Sequence, residues 1–98
     1  MSEATIQTQT YNGWSNRETW LGNLWLGNDE GLYELFCRAF RENNTISEIA
    51  MYIEEELQEQ LEDEINTASI WQDLLGTAFD RIEWAEIVAV NFEDFKEV

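Results

Sequence analysis

With 98 residues, 21 acidic side chains against five basic ones, and neither histidine nor proline, the chain reads as one strongly anionic domain. Its 44% hydrophobic and 13% aromatic content excludes a disordered acidic tail, and the lone Cys37 excludes an internal disulfide. Such a charge repels nucleic acid and anionic membrane, and no apolar run approaches the ~18 residues of a membrane span.

The charge is polarised. Residues 1–41 carry five acids and three bases, whereas residues 42–98 carry sixteen acids and two bases. Residues 1–12 are predicted to form a flexible arm and residues 13–98 an acidic helical domain. The start lacks the basic and apolar segments of a signal peptide, so a cytoplasmic location is expected. Asn12-Gly13 is a turn signal. Ser15-x-x-Glu18 has capping-box form and predicts a helix from near Asn16, with Trp20, Leu21, Leu24 and Trp25 as its apolar face. That spacing puts Trp20 and Trp25 toward the core. Asp29 is predicted to cap a second helix, with Leu32, Tyr33, Phe36, Ala39 and Phe40 inward and Arg38 and Arg41 near its C-terminal end.

Thr45-x-x-Glu48 is a second capping box. Ile49, Ile53, Leu57, Leu61 and Ile65 follow at four-residue spacing, the mark of an amphipathic helix. Glu48, Glu55, Glu56, Glu59, Glu62 and Asp63 fall within about 120° on its other side, while Glu54 and Glu64 lie outside that arc. Ser69-x-x-Gln72 is predicted to cap a fourth helix with a broad apolar stripe: Ile70, Trp71, Leu74, Leu75, Ala78, Phe79 and Ile82. A fifth, short helix is expected from about Glu83, carrying Trp84, Ile87, Val88 and Phe92, with Phe95 beyond it. The tract Val88–Val90 alone argues weakly for a strand. The fold class is all-α, a single small domain of four to five helices.

The sequence gives little support for catalysis. No histidine is present to activate Cys37, which sits between apolar neighbours and reads as a small buried hydrophobe. Asn28-Asp29-Glu30-Gly31 lacks the alternating ligands of a calcium loop, and the glycines form no phosphate loop. No enzyme activity, metal or cofactor is expected. The acidic face is more distinctive. Between Glu48 and Glu64 stand eight carboxylates and no cation. Sixteen helical steps of ~1.5 Å span about 24 Å, so the charge spacing is about 3 Å. One strand of duplex DNA carries a phosphate per ~3.4 Å. The like-charge pairs Glu55–Glu59 and Glu59–Asp63 each cost ~0.2–0.5 kcal/mol, which a face built for stability would avoid by interleaving lysine.

These features predict a mimic of DNA that occupies a basic nucleic-acid-binding surface through Glu48, Glu55, Glu56, Glu59, Glu62 and Asp63. Asp73, Asp80, Glu83 and Glu86 extend the face if the last helices pack beside it. The expected partner is a basic nucleic-acid-binding protein, with no direct nucleic-acid or membrane binding. The alternative is a small adaptor that binds through exposed tryptophan and apolar surface, or a homodimer through that surface. A halophilic domain is disfavoured by the near-neutral first 41 residues.

The stretch YNGWSNRETWLGNLWLGND, Tyr11–Asp29, resembles a motif in short proteins of phages and plasmids, W-x-N-x-E-T-W followed by an apolar helix and N-D. Here it is Trp14, Asn16, Glu18, Thr19, Trp20 and Asn28-Asp29. Ile82-Glu83-Trp84-Ala85-Glu86-Ile87 resembles the I-D/E-W-x-E-I tract of their C-terminal parts. The resemblance implies a mobile-element setting, the cytosol of a host cell, and no catalytic residues. By analogy of size, charge and origin it implies an anti-restriction or anti-CRISPR inhibitor, with a host defence protein as target. Gly22 stands where a larger apolar residue is expected and predicts a less well packed first helix.

Overall fold

A computed structural model of the chain describes residues 11–65 and 69–96. Five helices lie within them: α1 (Arg17–Asn28), α2 (Glu30–Glu42), α3 (Ile46–Glu64), α4 (Ile70–Asp80) and α5 (Trp84–Lys96). The domain is all-α, and the Val88–Val90 tract lies inside α5. The predicted arm falls largely outside the described residues. Its last two positions, Tyr11 and Asn12, belong instead to a tight turn on the domain. Asn12 (φ 50°) and Gly13 (φ 90°) both adopt positive φ, as a two-residue hairpin turn of this hand requires. Tyr11 and Trp14 exchange backbone hydrogen bonds of 2.6 and 2.8 Å across it. The Tyr11 ring meets Trp20 edge-on at 5.1 Å.

Most helix starts follow local chemistry. Asp29 accepts from the Leu32 amide at 3.0 Å, and Ser69 accepts from the Gln72 amide at 3.2 Å. Thr45 and Glu48 form a reciprocal capping box, which satisfies amides that helix geometry leaves unpaired. At α1 the cap is Asn16, not the box headed by Ser15. Asn16 Oδ1 accepts from the Thr19 amide at 2.8 Å while its Nδ2 donates to the Arg81 carbonyl at 2.9 Å. A long-range bond thus fixes the cap.

The core joins Leu26 of α1, Phe36, Ala39 and Phe40 of α2, Ile49, Ala50 and Ile53 of α3, and Trp84, Ile87 and Val88 of α5. The broadest helix–helix interface is α3 with α5, followed by α1 with α2. Phe95, expected beyond the last helix, lies inside α5 and stacks on Phe40 at 4.6 Å, with Phe36 at 4.9 Å. Such ring pairs contribute ~0.5–1.5 kcal/mol each beyond the area they bury.

Two helices face differently from their sequence pattern. On α1 the buried residues are Thr19 and Leu26, while Leu24 and Trp25 are exposed, Trp25 by 57%. Trp25 is therefore no core residue. Gly22 marks the side of α1 that meets α5. A Cβ built there would lie 3.1 Å from Ile87 Cδ1 and 3.4 Å from Ile82 Cγ2, so the absence of a side chain lets α1 approach α5. Gly22 tightens the packing that it was expected to loosen. On α4 none of the residues is buried. Ile70 (66%), Trp71 (65%), Leu74 (53%) and Leu75 (42%) are exposed, so most of the predicted apolar stripe stays on the surface, while Phe79 and Ile82 pack against the core. Cys37 is half-buried rather than enclosed.

Candidate functional site

The two motif tracts meet. Thr19, fully buried, accepts the Glu83 amide on Oγ1 at 2.9 Å. Glu18 forms an ion pair with Arg81 at 3.3 Å, and the Ser15 amide donates to Glu86 Oε2 at 3.2 Å. With the Asn16–Arg81 bond and the Gly22–Ile87 contact, these residues clamp the start of α1 to the α4–α5 junction. The Glu18 carboxyl is held below its ordinary pKa, first by a hydrogen bond from its own backbone amide and then by Arg81, with Arg17 adding a smaller share. The Trp-Asn-Glu-Thr-Trp motif thus performs a structural task, which the sequence leaves hidden because its partners stand more than 60 residues away.

The predicted acidic residues divide into those free on the surface and those engaged. Glu55, Glu59, Glu62 and Asp63 are exposed along the outer side of α3. Among the described residues none of the four has an ion-pair partner. Asp73 and Asp80 are exposed on α4, and Glu83 precedes α5. Glu48 is exposed, but its Oε1 accepts from the Asn44 and Thr45 amides at 3.2 and 3.3 Å and so holds the helix start. Glu56 is half-buried and close enough to Arg38 to help raise the guanidinium pKa, an effect led by the Arg38–Tyr52 hydrogen bond. Glu86 is half-buried and carries the clamp to Ser15. Its role is to fix the fold, and it does not extend an open acidic face. Glu83 comes beside Glu54, the two lining a shallow hollow between α3 and the α4–α5 junction. The later acid therefore joins the flank of α3 at a residue outside the predicted arc.

A second feature was not anticipated as a site. A cavity of about 520 Å³ opens between α1, α3 and α4. Its lining is mostly apolar: Leu21 and Trp25 from α1, Leu57 and Leu61 from α3, and Leu75 and Phe79 from α4. Glu18 and Glu64 stand among these walls. The regular spacing of Leu57, Leu61 and Ile65 signals burial in the sequence. Ile49 and Ile53 do enter the core, but the later three are only half-buried and floor the cleft. Among the described residues, no group of three or more His, Cys, Asp or Glu side chains converges on a metal position, and no helix is long and apolar enough to cross a membrane.

A family model described as a family of unknown function, DUF7249, matches residues 7–98. No curated protein and no solved structure matches the chain.

Proposed function

The chain belongs to the DUF7249 family of unknown function, and we propose that it is a non-catalytic inhibitor that mimics DNA. In this reading the outer side of α3 docks onto the basic nucleic-acid-binding surface of a protein in a host defence system of restriction or CRISPR type. The observation that carries the proposal is the row Glu55, Glu59, Glu62 and Asp63, exposed along one rigid helix and without ion-pair partners among the described residues. These four carboxylates span eight helical steps, about 12 Å or a mean of about 4 Å apart, against the ~3.4 Å of phosphates along one strand of duplex DNA, which suits a surface built to receive phosphates. Such a surface would also draw the domain in by long-range attraction.

The test uses purified restriction and CRISPR nucleases with labelled DNA. The wild-type chain is expected to displace DNA from a target, and the Glu55→Lys/Glu59→Lys/Glu62→Lys protein is expected to fail while remaining helical. Simultaneous binding of DNA and the chain would contradict the mimic.

A second reading, an adaptor that binds through apolar surface, is favoured by one observation: α4 buries none of its residues and exposes Trp71 and Leu74. Trp is a frequent anchor in protein interfaces.

A further inference from the structure

We infer that the cleft between α1, α3 and α4 receives a cationic amphipathic α-helix from the protein partner. The inference rests on the reading of the domain as a module for basic proteins, and names the kind of segment it would grip. Three features lead to it. The cleft is mostly apolar, and its most exposed apolar lining residues are Trp25 (57%) and Leu75 (42%), large side chains left in water. Leu57 to Ile65 runs eight helical steps along its floor, about 12 Å or two helical turns, a length that suits apolar residues at i, i+3 or i+4 and i+7 of an incoming helix.

The backbone decides the form of the segment. The walls are helices, with Ile65 and Ile82 lying just past helix ends, and none of the lining residues belongs to a strand, so the cleft offers no strand edge to which an extended peptide could add. A segment entering it must satisfy its own amides and carbonyls, as a helix does.

Charge decides the composition. Glu64 stands at the cleft with no ion-pair partner among the described residues, and Glu18 stands there already paired with Arg81. Lysine or arginine on the flanks of the incoming helix would meet Glu64 and the surrounding acidic field. A second copy of this chain fits poorly. It would bring another net charge of −16 and only five basic residues, of which Arg81 and Arg38 are already engaged by Glu18 and Tyr52. Like-charge approach of that size opposes self-association.

The experiment uses the full chain and three labelled synthetic peptides of about 14 residues, roughly four turns. One carries leucine on one helical face and lysine on the other. The second is a scramble of the same composition without an apolar face. The third replaces lysine with glutamate. Anisotropy is read at about 150 mM salt, where the screening length is ~8 Å. The cationic amphipathic peptide should bind at least about tenfold tighter than either control, and Trp25→Ala or Leu75→Ala should weaken it at least about tenfold, as loss of an interface anchor does. Both positions are exposed, so neither change threatens the fold. Glu55→Lys/Glu59→Lys/Glu62→Lys should weaken it less than the cleft variants.

Equal binding of the scramble overturns the inference, as does binding that ignores Trp25 and Leu75. A dimer in sedimentation that those two variants dissociate also overturns it, since a second copy would then fill the cleft. Displacement of DNA from a nuclease that survives the cleft variants but not the α3 variants would sink the helix inference and leave the DNA-mimic proposal standing. The reverse pattern would do the opposite.

Discussion

Gly22, Thr19 and Glu18 show how single atoms hold this fold. At Gly22 a larger side chain must displace Ile87, which is fully buried. Gly22→Leu is expected to destabilise the domain by ~1–3 kcal/mol, the usual cost of overpacking, read as a lowered urea midpoint. Thr19 Oγ1 is the acceptor for the Glu83 amide. Thr19→Val keeps the shape and removes that acceptor, and should cost ~1–3 kcal/mol in the same assay if the amide finds no water. At Glu18 the folded carboxyl has a lowered pKa, set first by its backbone hydrogen bond and then by Arg81. The stability from this contact is present above the ordinary glutamate range and is lost as pH falls through the folded pKa. Arg81→Gln should move the Glu18 pKa upward toward its ordinary value in an NMR titration. The accompanying loss of stability should be small, because the ion pair is at the surface.

Among the helices, α4 is the exception. Its neighbours α3 and α5 share the broadest interface, while α4 has no comparable interface and no buried residue. Backbone amides in such an element open more readily than those of the core. Hydrogen exchange should be faster across α4 than at Ile49–Ile53 of α3 or Ile87–Val88 of α5, and a bound partner should slow it. Helix boundaries were largely legible in the sequence, because a cap such as Asp29 or Ser69 acts within three residues. Burial was not legible to the same degree. The spacing of Trp20, Leu21, Leu24 and Trp25 identifies an apolar face on α1, but the clamp to Arg81 and Glu83 rotates Thr19 and Leu26 inward instead. The same periodicity that buries Ile49 and Ile53 leaves Leu57 and Leu61 lining a cleft, since periodicity describes a face and not what covers it. The acidic row on α3 was legible because solvent exposure asks nothing of distant residues. The engaged states of Glu86 and Glu48 depend on contacts that only the folded chain makes.

At the scale of the molecule, the near-neutral N-terminal part supplies α1, α2 and one side of the clamp, while most of the charge lies on α3 and the helices after it. Apolar and acidic surfaces adjoin where Leu57 and Leu61 turn into the cleft and Glu55, Glu59 and Glu62 face outward on the same helix. A partner that uses both would bind through a salt-dependent term and a salt-independent one. Its affinity should fall steeply between low and ~200 mM salt and then level off above zero. We propose that the outer side of α3 takes the place of DNA on a basic protein surface. The most direct test is equilibrium competition on purified restriction and CRISPR nucleases, with labelled DNA titrated by the wild-type chain and by Glu55→Lys/Glu59→Lys/Glu62→Lys. Mutually exclusive binding by the wild-type chain and loss of competition by the folded triple variant are expected. A ternary complex with DNA, or equal competition by both proteins, would contradict the proposal.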